Sequence, residues 1–413
     1  MTSDLAFQRQ HHLSHKGNLK ETRNGWLRLT PAYSVHLIRE LLEPLRPGTD
    51  RVLDPFCGTG TTALACAERG LACDTTDINP FLIWLASGKC HVYTAKDVLS
   101  FTRAGAEVAD AIREATTDKC GWVPPIHQIE KWWDKQTLAC LAAAMEVIKA
   151  KPAAPSTDLL KLAFCRTMIE RSNVSFGHQS MSFKKAHKTK LTLLSNDANA
   201  VVETWQHAVS TIGPAATSPI QQVPRVLLVD ARELGTKLAA NTYNCVITSP
   251  PYPNRMSYIR ELRPYMYWLG FLGEDSRAAG ELDWQAIGGT WGCATSNIGK
   301  WEPPKKVNIP FKEFTAVLSR IAESSPLLSR YVHKYFYDMV GHTAELVRVL
   351  APGGSVHFVV GNSKFYEVLL PVERIFAALF ENARLEQVSV KAIRKRSSKK
   401  ELFEYLVSAK KST

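Results

Sequence analysis

The sequence predicts an α/β protein: a wound, mostly parallel sheet with a mostly helical insertion and a smaller, loop-rich one. Three observations lead to this class. Arg51-Val52-Leu53 reads as a short strand that breaks at a glycine turn and gives way to a helical stretch, Thr61 to Arg69. After a second strand that ends at Asp77, strand-like apolar runs return only from Val226 onward, and the interval between has helical periodicity. The chain is also long enough, at 413 residues of which 45% are hydrophobic, to fill more than one core.

Each element follows in order. A second strand runs into Asp77, and residues 91–220 read as the helical insertion. There Leu138, Leu141, Met145 and Ile148 recur at helical spacing, as do Leu160, Phe164 and Met168, with Asp158 as the expected N-cap of the second series. Strands resume at Val226–Asp230 and Cys245–Thr248. Residues 272–330, rich in Gly, Trp and Pro, read as loops. A helix over Tyr335–Leu350, a Pro352-Gly353-Gly354 turn and a strand over Val356–Val360 come next. A helix over Val372–Phe380 and closing strands over Leu385–Val390 and Phe403–Val407 complete the sheet.

Composition excludes several classes. The longest apolar stretches, such as Phe81–Ala86, fall far short of the roughly 18 residues a bilayer crossing needs. The polar, His-rich segment Met1–Lys20 lacks the apolar centre of a signal peptide. Nine cysteines, scattered and never in a C-x-x-C pair, read as reduced thiols rather than a disulfide framework or a zinc site. No bound metal is expected. Lys and Arg number 51 against 39 Asp and Glu, a net charge of +12 that points to a polyanionic partner wherever the cations cluster.

The turn Asp54-Pro55-Phe56-Cys57-Gly58-Thr59-Gly60 carries the first chemistry. Glycines directly after a strand let the backbone pass close to a ligand across the strand ends, and the next helix offers its N-terminus. Asp77, seventeen residues after Gly60, sits at the tip of the second strand, where a carboxylate can accept two ribose hydroxyls. No Gly-Lys-Ser/Thr follows, so this is not a phosphate loop. Asp54 stands where it can reach a cationic amino group. S-adenosylmethionine has such a group and a nicotinamide cofactor does not.

Ser249-Pro250-Pro251-Tyr252, closing an apolar strand, is the most specific signal. Two consecutive prolines stop the ladder and stiffen the backbone, so that the carbonyls of Ser249 and Pro250 can point outward. An exocyclic amine needs such acceptors, because its lone pair is delocalised into the ring until its hydrogens are drawn away. Tyr252 offers a flat face for an extruded base.

With Asp54-Pro-Phe-Cys-Gly58-Thr-Gly60-Thr-Thr, Asp77-Ile-Asn-Pro, Asp230-Ala-Arg and Thr-Ser249-Pro-Pro-Tyr252-Pro-Asn, the chain resembles the DNA amino-methyltransferases. The likeness covers about 20–95 and 222–410. It implies a Rossmann-like S-adenosylmethionine-dependent methyltransferase sheet, with Tyr33 in the segment Trp26–Ser34 closing over the methionine end of the cofactor. Phe56, Gly58 and Gly60 would cradle that portion, Asp77 the ribose, and Asp230 would neighbour the adenine ring. Ser249, Pro250, Pro251 and Tyr252 would hold the target, and Ser in the first place is associated with the N4 of cytosine. The implied step is direct attack of the amine on the sulfonium methyl. In this chain the cofactor motif precedes the catalytic one, the reverse of the usual serine-type order.

The implied partners are double-stranded DNA and a companion restriction endonuclease, with no membrane. The protein is expected as a monomer or weak dimer in the cytoplasm, at the nucleoid of a prokaryotic host. The implied division is 1–90 (closing segment and cofactor half), 91–220 (helical, DNA-contacting), 221–271 (catalytic), 272–330 (target recognition) and 331–413 (remaining sheet). Candidate DNA contacts are Asn173, His178, Gln179, Lys184 and Lys185 in one polar, basic loop. Arg255, with Arg260 and Arg263, follows the catalytic turn, and Arg394 and Arg396 open the basic run between the last two strands.

Trp132, Trp133 and His357 read as packing residues. Carbon-5 methylation of cytosine is disfavoured, since it needs a nucleophilic thiolate, usually in a Pro-Cys turn, and no Pro-Cys dipeptide occurs. Adenine N6, an amine of RNA or protein, and a DNA-binding module with a vestigial pocket stay open as alternatives.

Overall fold

The computed structural model describes residues 17–413 except 21, 30–32, 176–181, 184–197, 255, 276, 291–292, 305–306 and 397–400. Helix α1 (Val35–Leu42) precedes strand β1 (Arg51–Asp54), α2 (Thr61–Arg69), β2 (Ala72–Asp77) and α3 (Pro80–Cys90). A helical block follows, made of α4 (Ala95–Glu114), α5 (Ile129–Trp132), α6 (Lys135–Ala150), α7 (Pro155–Glu170) and α8 (Ala198–Ala216). The short pair β3 (Val174–Ser175) and β4 (Ser182–Phe183) lies between the last two. Strands β5 (Arg225–Leu228) and β6 (Tyr243–Thr248) lead into α9 (Tyr258–Trp268), α10 (Ala278–Gln285), α11 (Cys293–Lys300), α12 (Phe314–Ser324) and α13 (Pro326–Val349). Then come β7 (Leu350–Gly361), β8 (Ser363–Phe365), β9 (Val368–Leu370), α14 (Val372–Asn382), β10 (Leu385–Lys395) and β11 (Phe403–Lys411).

Seven strands form one sheet in the order β10-β11-β7-β6-β1-β2-β5, parallel except where β11 runs antiparallel between β7 and β10. The chain leaves central β1 toward β2 and β5, then returns on the other side of β1 through β6 and β7. That reversal opens a crevice at the carboxyl ends of β1 and β6, the ligand position of open α/β sheets. One face is covered by α13 and α14, which bring Met339, Leu346, Phe376 and Phe380 against Phe358 and Val360. The other face takes α1 and α2, with Ile38 and Leu64 against Val52 and Ile247.

The helical block is a long crossover between parallel neighbours β2 and β5. Its core is shared with the sheet domain, because Phe101, Trp133, Phe164 and Trp205 cluster with Trp26, Phe81 and Tyr265. The block is thereby seated on α3, which follows the Asp77 strand tip, and on α9, which follows the diproline turn. Arg23 reinforces this seat. Its buried guanidinium donates to the carbonyls of Lys89 (2.8 Å) and His91 (2.6 Å) at the end of α3, and of Ala216 (2.6 Å) and Ser218 (2.7 Å) at the end of α8.

Several expectations need correction. Residues 272–330 are largely helical: Phe314, Val317, Leu318 and Ile321 recur on the face of α12 that packs into the core, a periodicity hidden among the surrounding Gly, Trp and Pro. Pro352-Gly353-Gly354 is no turn before a strand but an excursion within β7. Register passes from Tyr243↔Leu350 to Cys245↔Ser355 while β11 holds the strand from its other edge. Asp158 does not cap α7. The helix starts after Ala154 with Pro155 in its first turn, and Asp158 accepts from Trp84 Nε1 at 2.9 Å. Trp132 and Trp133 are packing residues, buried, with Trp133 Nε1 donating to the Met168 carbonyl. Among the described residues no helix is long and apolar enough to cross a membrane.

Candidate active site

The glycine turn is built from beneath. Cys57 N–H donates to the Thr76 carbonyl (2.8 Å) and Gly60 N–H to the Cys57 carbonyl (2.9 Å), which folds the chain back over the end of β2. Gly60 begins α2 in the left-handed region (φ 76°), and a Cβ there would lie 2.9 Å from the Cβ of Ala86 on α3. Its lack of a side chain thus serves the approach of turn to helix, and Gly60 does not line the cavity. Lys89, fully buried near the end of α3, donates from Nζ to the Thr59 carbonyl (2.9 Å), and burial pulls its pKa down to about 8.

Asp77 stands at the tip of β2 as the sequence implies. Its Oδ2 accepts from Gly58 N–H (3.0 Å) and its Oδ1 from Asn79 N–H (2.9 Å). Burial pushes the carboxyl up to about 6 against the pull of these N–H groups and that of Ile78. Each oxygen retains a lone pair for a vicinal diol. Asp230 also lines the crevice. Burial opposes its ionisation, but the Arg232 side chain and N–H outweigh it and hold the carboxyl below its ordinary range.

Asp54 departs from its expected role. It is wholly buried, is absent from the cavity wall, and accepts from Thr248 Oγ1 (2.6 Å), Phe56 N–H (3.1 Å) and Tyr33 OH (3.1 Å). It therefore binds the two turns and Tyr33 to one another from behind the cavity wall. Tyr33, which also bonds Thr62 Oγ1, does line the cavity.

Burial raises Asp54 from the ordinary 3.8 to about 7, so between these pH values the folded chain holds a proton that the unfolded chain has released. This contribution to stability is full below about pH 4 and is lost as pH rises through about 7. Asp54→Asn should therefore flatten the stability–pH profile over that window. The difference from wild type should grow by at most about 1.4 kcal/mol per pH unit. Urea unfolding at a series of pH values measures it, and parallel profiles would refute the assignment.

The second turn lies across the crevice. Ser249 Oγ donates to the Val359 carbonyl (2.9 Å) and lies 3.4 Å from the Tyr252 hydroxyl. The Pro251 carbonyl accepts from Tyr335 OH (2.7 Å), and Tyr252 N–H donates to Tyr258 OH (3.2 Å). The turn is thus fixed from three elements, while no hydrogen bond from the described residues reaches the carbonyls of Ser249 and Pro250. A Cβ on Gly361 would lie 2.9 Å from the Tyr252 ring, so glycine there lets the ring approach β7 closely.

Both turns face one cavity of about 230 Å³, lined by Tyr33, Phe56, Gly58, Asp77 and Asp230 on one side and Ser249 to Tyr252 on the other. Its rim includes residues the sequence reading missed. Gln285 to Gly289 close one side, held by buried Asp283, which accepts from Ser257 Oγ (2.5 Å) and Thr290 N–H (2.8 Å). Gly289 in this segment is the one legible signal, since a Cβ would strike the Asp283 carbonyl at 1.7 Å.

The candidate DNA contacts divide. His178, Gln179, Lys184, Lys185 and Arg255 lie outside the described residues. Asn173 is engaged with the chain itself: its N–H donates to the Trp132 carbonyl (2.8 Å) and its Nδ2 to that of Lys131 (3.4 Å). Arg263 stacks over Trp132 (5.2 Å), and neither it nor Arg260 lines the cavity. Arg394 and Arg396 do line it. Among the described residues no group of three or more His, Cys, Asp or Glu side chains could hold a metal ion.

A Rossmann-like sheet whose glycine turn and strand-tip carboxylate share a crevice with a rigid diproline turn is that of an S-adenosylmethionine-dependent methyltransferase. No protein-family model matches the chain. It is similar, at 21% identity over 89% of its length and 80% of theirs, to the Type II methyltransferases M.AvaI of Nostoc sp. and Anabaena variabilis. Type II methyltransferase M.BsoBI of Geobacillus stearothermophilus is 22% identical over 93% of this chain and 82% of that protein. M.MvaI of Kocuria varians is 20% identical over 83% and 76%. These likenesses, each over most of the chain, support the DNA amino-methyltransferase family. A solved rRNA methyltransferase, aviRa from Streptomyces viridochromogenes, aligns over 96% of both chains at 12% identity, but its TM-score of 0.31 is too low to bear on fold or activity.

Proposed function

We propose that the protein methylates the exocyclic N4 of cytosine in double-stranded DNA, on a base turned out of the helix, as the modification partner of a restriction endonuclease. The observation that carries this reading is the single cavity shared by the cofactor turn and Ser249-Pro250-Pro251-Tyr252. S-adenosylmethionine supplies an electrophilic methyl group on a sulfonium. Asp77 would hold its ribose hydroxyls, Phe56 and Gly58 its remaining body, and Tyr33 would cover it.

On the target side, the carbonyls of Ser249 and Pro250 accept the amine hydrogens and return electron density to nitrogen, while Tyr252 keeps the base in plane. This is catalysis by positioning and polarisation. The relatives' designation as Type II methyltransferases supports DNA as the substrate. Ser249 in the first place of the turn supports cytosine.

Incubation with methyl-labelled S-adenosylmethionine and unmethylated plasmid DNA should place label in N4-methylcytosine after nuclease digestion. Label in N6-methyladenine would reassign the base, and label only in RNA or protein would overturn the reading.

A further inference from the structure

We infer that Arg396 reads the edge of the target base and makes the cavity selective for cytosine over adenine; this deepens the N4-cytosine reading and rests on it. Arg394, in β10, and Arg396, one residue past its end, stand two apart, a spacing that in extended chain places both on one side, and both line the cavity. They are not equivalent. Arg394 is engaged by Glu404, to which Nε and Nη2 donate at 2.6 and 2.7 Å. Arg396 has no carboxylate within ion-pair distance among the described residues.

Its guanidinium is nonetheless aimed. Nη1 donates to the Asn362 carbonyl (3.1 Å), and Cζ lies 5.7 Å from the centre of the Tyr252 ring. Asn362 is buried and fixed to β11, its Nδ2 donating to the Glu401 carbonyl (2.9 Å) and its Oδ1 accepting from Phe403 N–H (2.9 Å). The missing side chain of Gly361, whose Cβ would lie 3.0 Å from Arg396 Nη1, admits guanidinium and tyrosine ring side by side. The result is a preorganised cation beside the base-stacking face, with Nε and Nη2 making no hydrogen bond to the described residues.

The chemistry of the two bases separates them here. Cytosine with its amine at the diproline turn presents N3 and then O2, adjacent acceptors that suit a planar fork of N–H donors. Adenine presents N1 followed by a C–H, which leaves one donor of the fork without a partner in a closed pocket. A backbone phosphate beside the extruded nucleotide offers the same acceptor chemistry, and the test tells the two apart.

Full-length wild type, Arg396→Gln and Arg396→Lys would be compared on unmethylated plasmid DNA, with methylated nucleosides quantified and S-adenosylmethionine affinity titrated. Arg396→Gln should lower kcat/KM for N4-methylcytosine about ten- to a hundredfold. Lysine should restore little, because an ammonium cannot fork, and cofactor affinity should not move. The salt dependence of DNA binding should keep its slope. A slope reduced by about 0.9 with the lysine variant rescued would mark a phosphate contact and overturn the inference. Unchanged N4-methylcytosine formation in Arg396→Gln overturns it alone, whereas N6-methyladenine from the wild type overturns the base assignment together with it.

Discussion

Tyr252→Ala should cut turnover about a hundredfold and leave the dissociation constant for S-adenosylmethionine unchanged. Stacking of one base on an aromatic ring contributes about 1–3 kcal/mol, and loss of a preorganised contact at a reacting group costs a similar factor. The structure separates the two effects. The Tyr252 ring rests on Gly361 of β7, and its N–H is held by Tyr258. Asp77 and the glycine turn are braced separately through Asn79, Thr76 and Lys89.

Ser249→Ala should act in the same direction but more weakly, because its hydroxyl braces the turn through Val359 while the proposed polarising group is its backbone carbonyl. Single-turnover methylation with labelled cofactor, beside calorimetric titration of the cofactor, measures both quantities. A parallel loss of cofactor affinity in Tyr252→Ala would show that the two halves of the cavity are not independent.

What could be read in the sequence was whatever depends on local backbone chemistry. The glycine turn, the diproline stop and the strand-tip acid each announce themselves within a few residues, and all three line the cavity or shape its wall. The role of Asp54 was not legible, because position at a strand end does not say which way a carboxylate faces. Only the approach of Thr248 and Tyr33, far apart in the chain, turns it inward. The same holds for Arg396. Its run of cations reads as a DNA contact at a hairpin tip, and nothing local foretells that Asn362 and Gly361 would draw it to the Tyr252 ring. The rim from Gln285 to Gly289 escaped notice for a related reason, since its shape depends on a carboxylate reached from Ser257.

Arg23 is the extreme case of such non-local dependence, and Arg23→Ala should destabilise the fold by about 4 kcal/mol. A helix leaves its last carbonyls without intrahelical partners and carries partial negative charge at that end. Here the ends of α3 and α8 converge, and a single guanidinium serves four carbonyls with no carboxylate in ion-pair contact among the described residues. Hydrogen bonds to a charged group contribute about 1.5–3 kcal/mol each, and buried acceptors left without donors cost about 1–3 kcal/mol, so even partial hydration of the gap leaves a large deficit.

Arg23→Lys should recover less than half of the loss, because one ammonium nitrogen cannot reach carbonyls spread over two guanidinium nitrogens. The loss should also reach the cofactor. Lys89, whose carbonyl Arg23 holds, is the residue that pins Thr59 from below, so a loosened end of α3 frees the glycine turn. Urea unfolding combined with cofactor titration tests both steps. A variant with wild-type midpoint would show that water replaces the guanidinium without cost, whereas lowered stability with unchanged cofactor affinity would break the link from Arg23 to the turn.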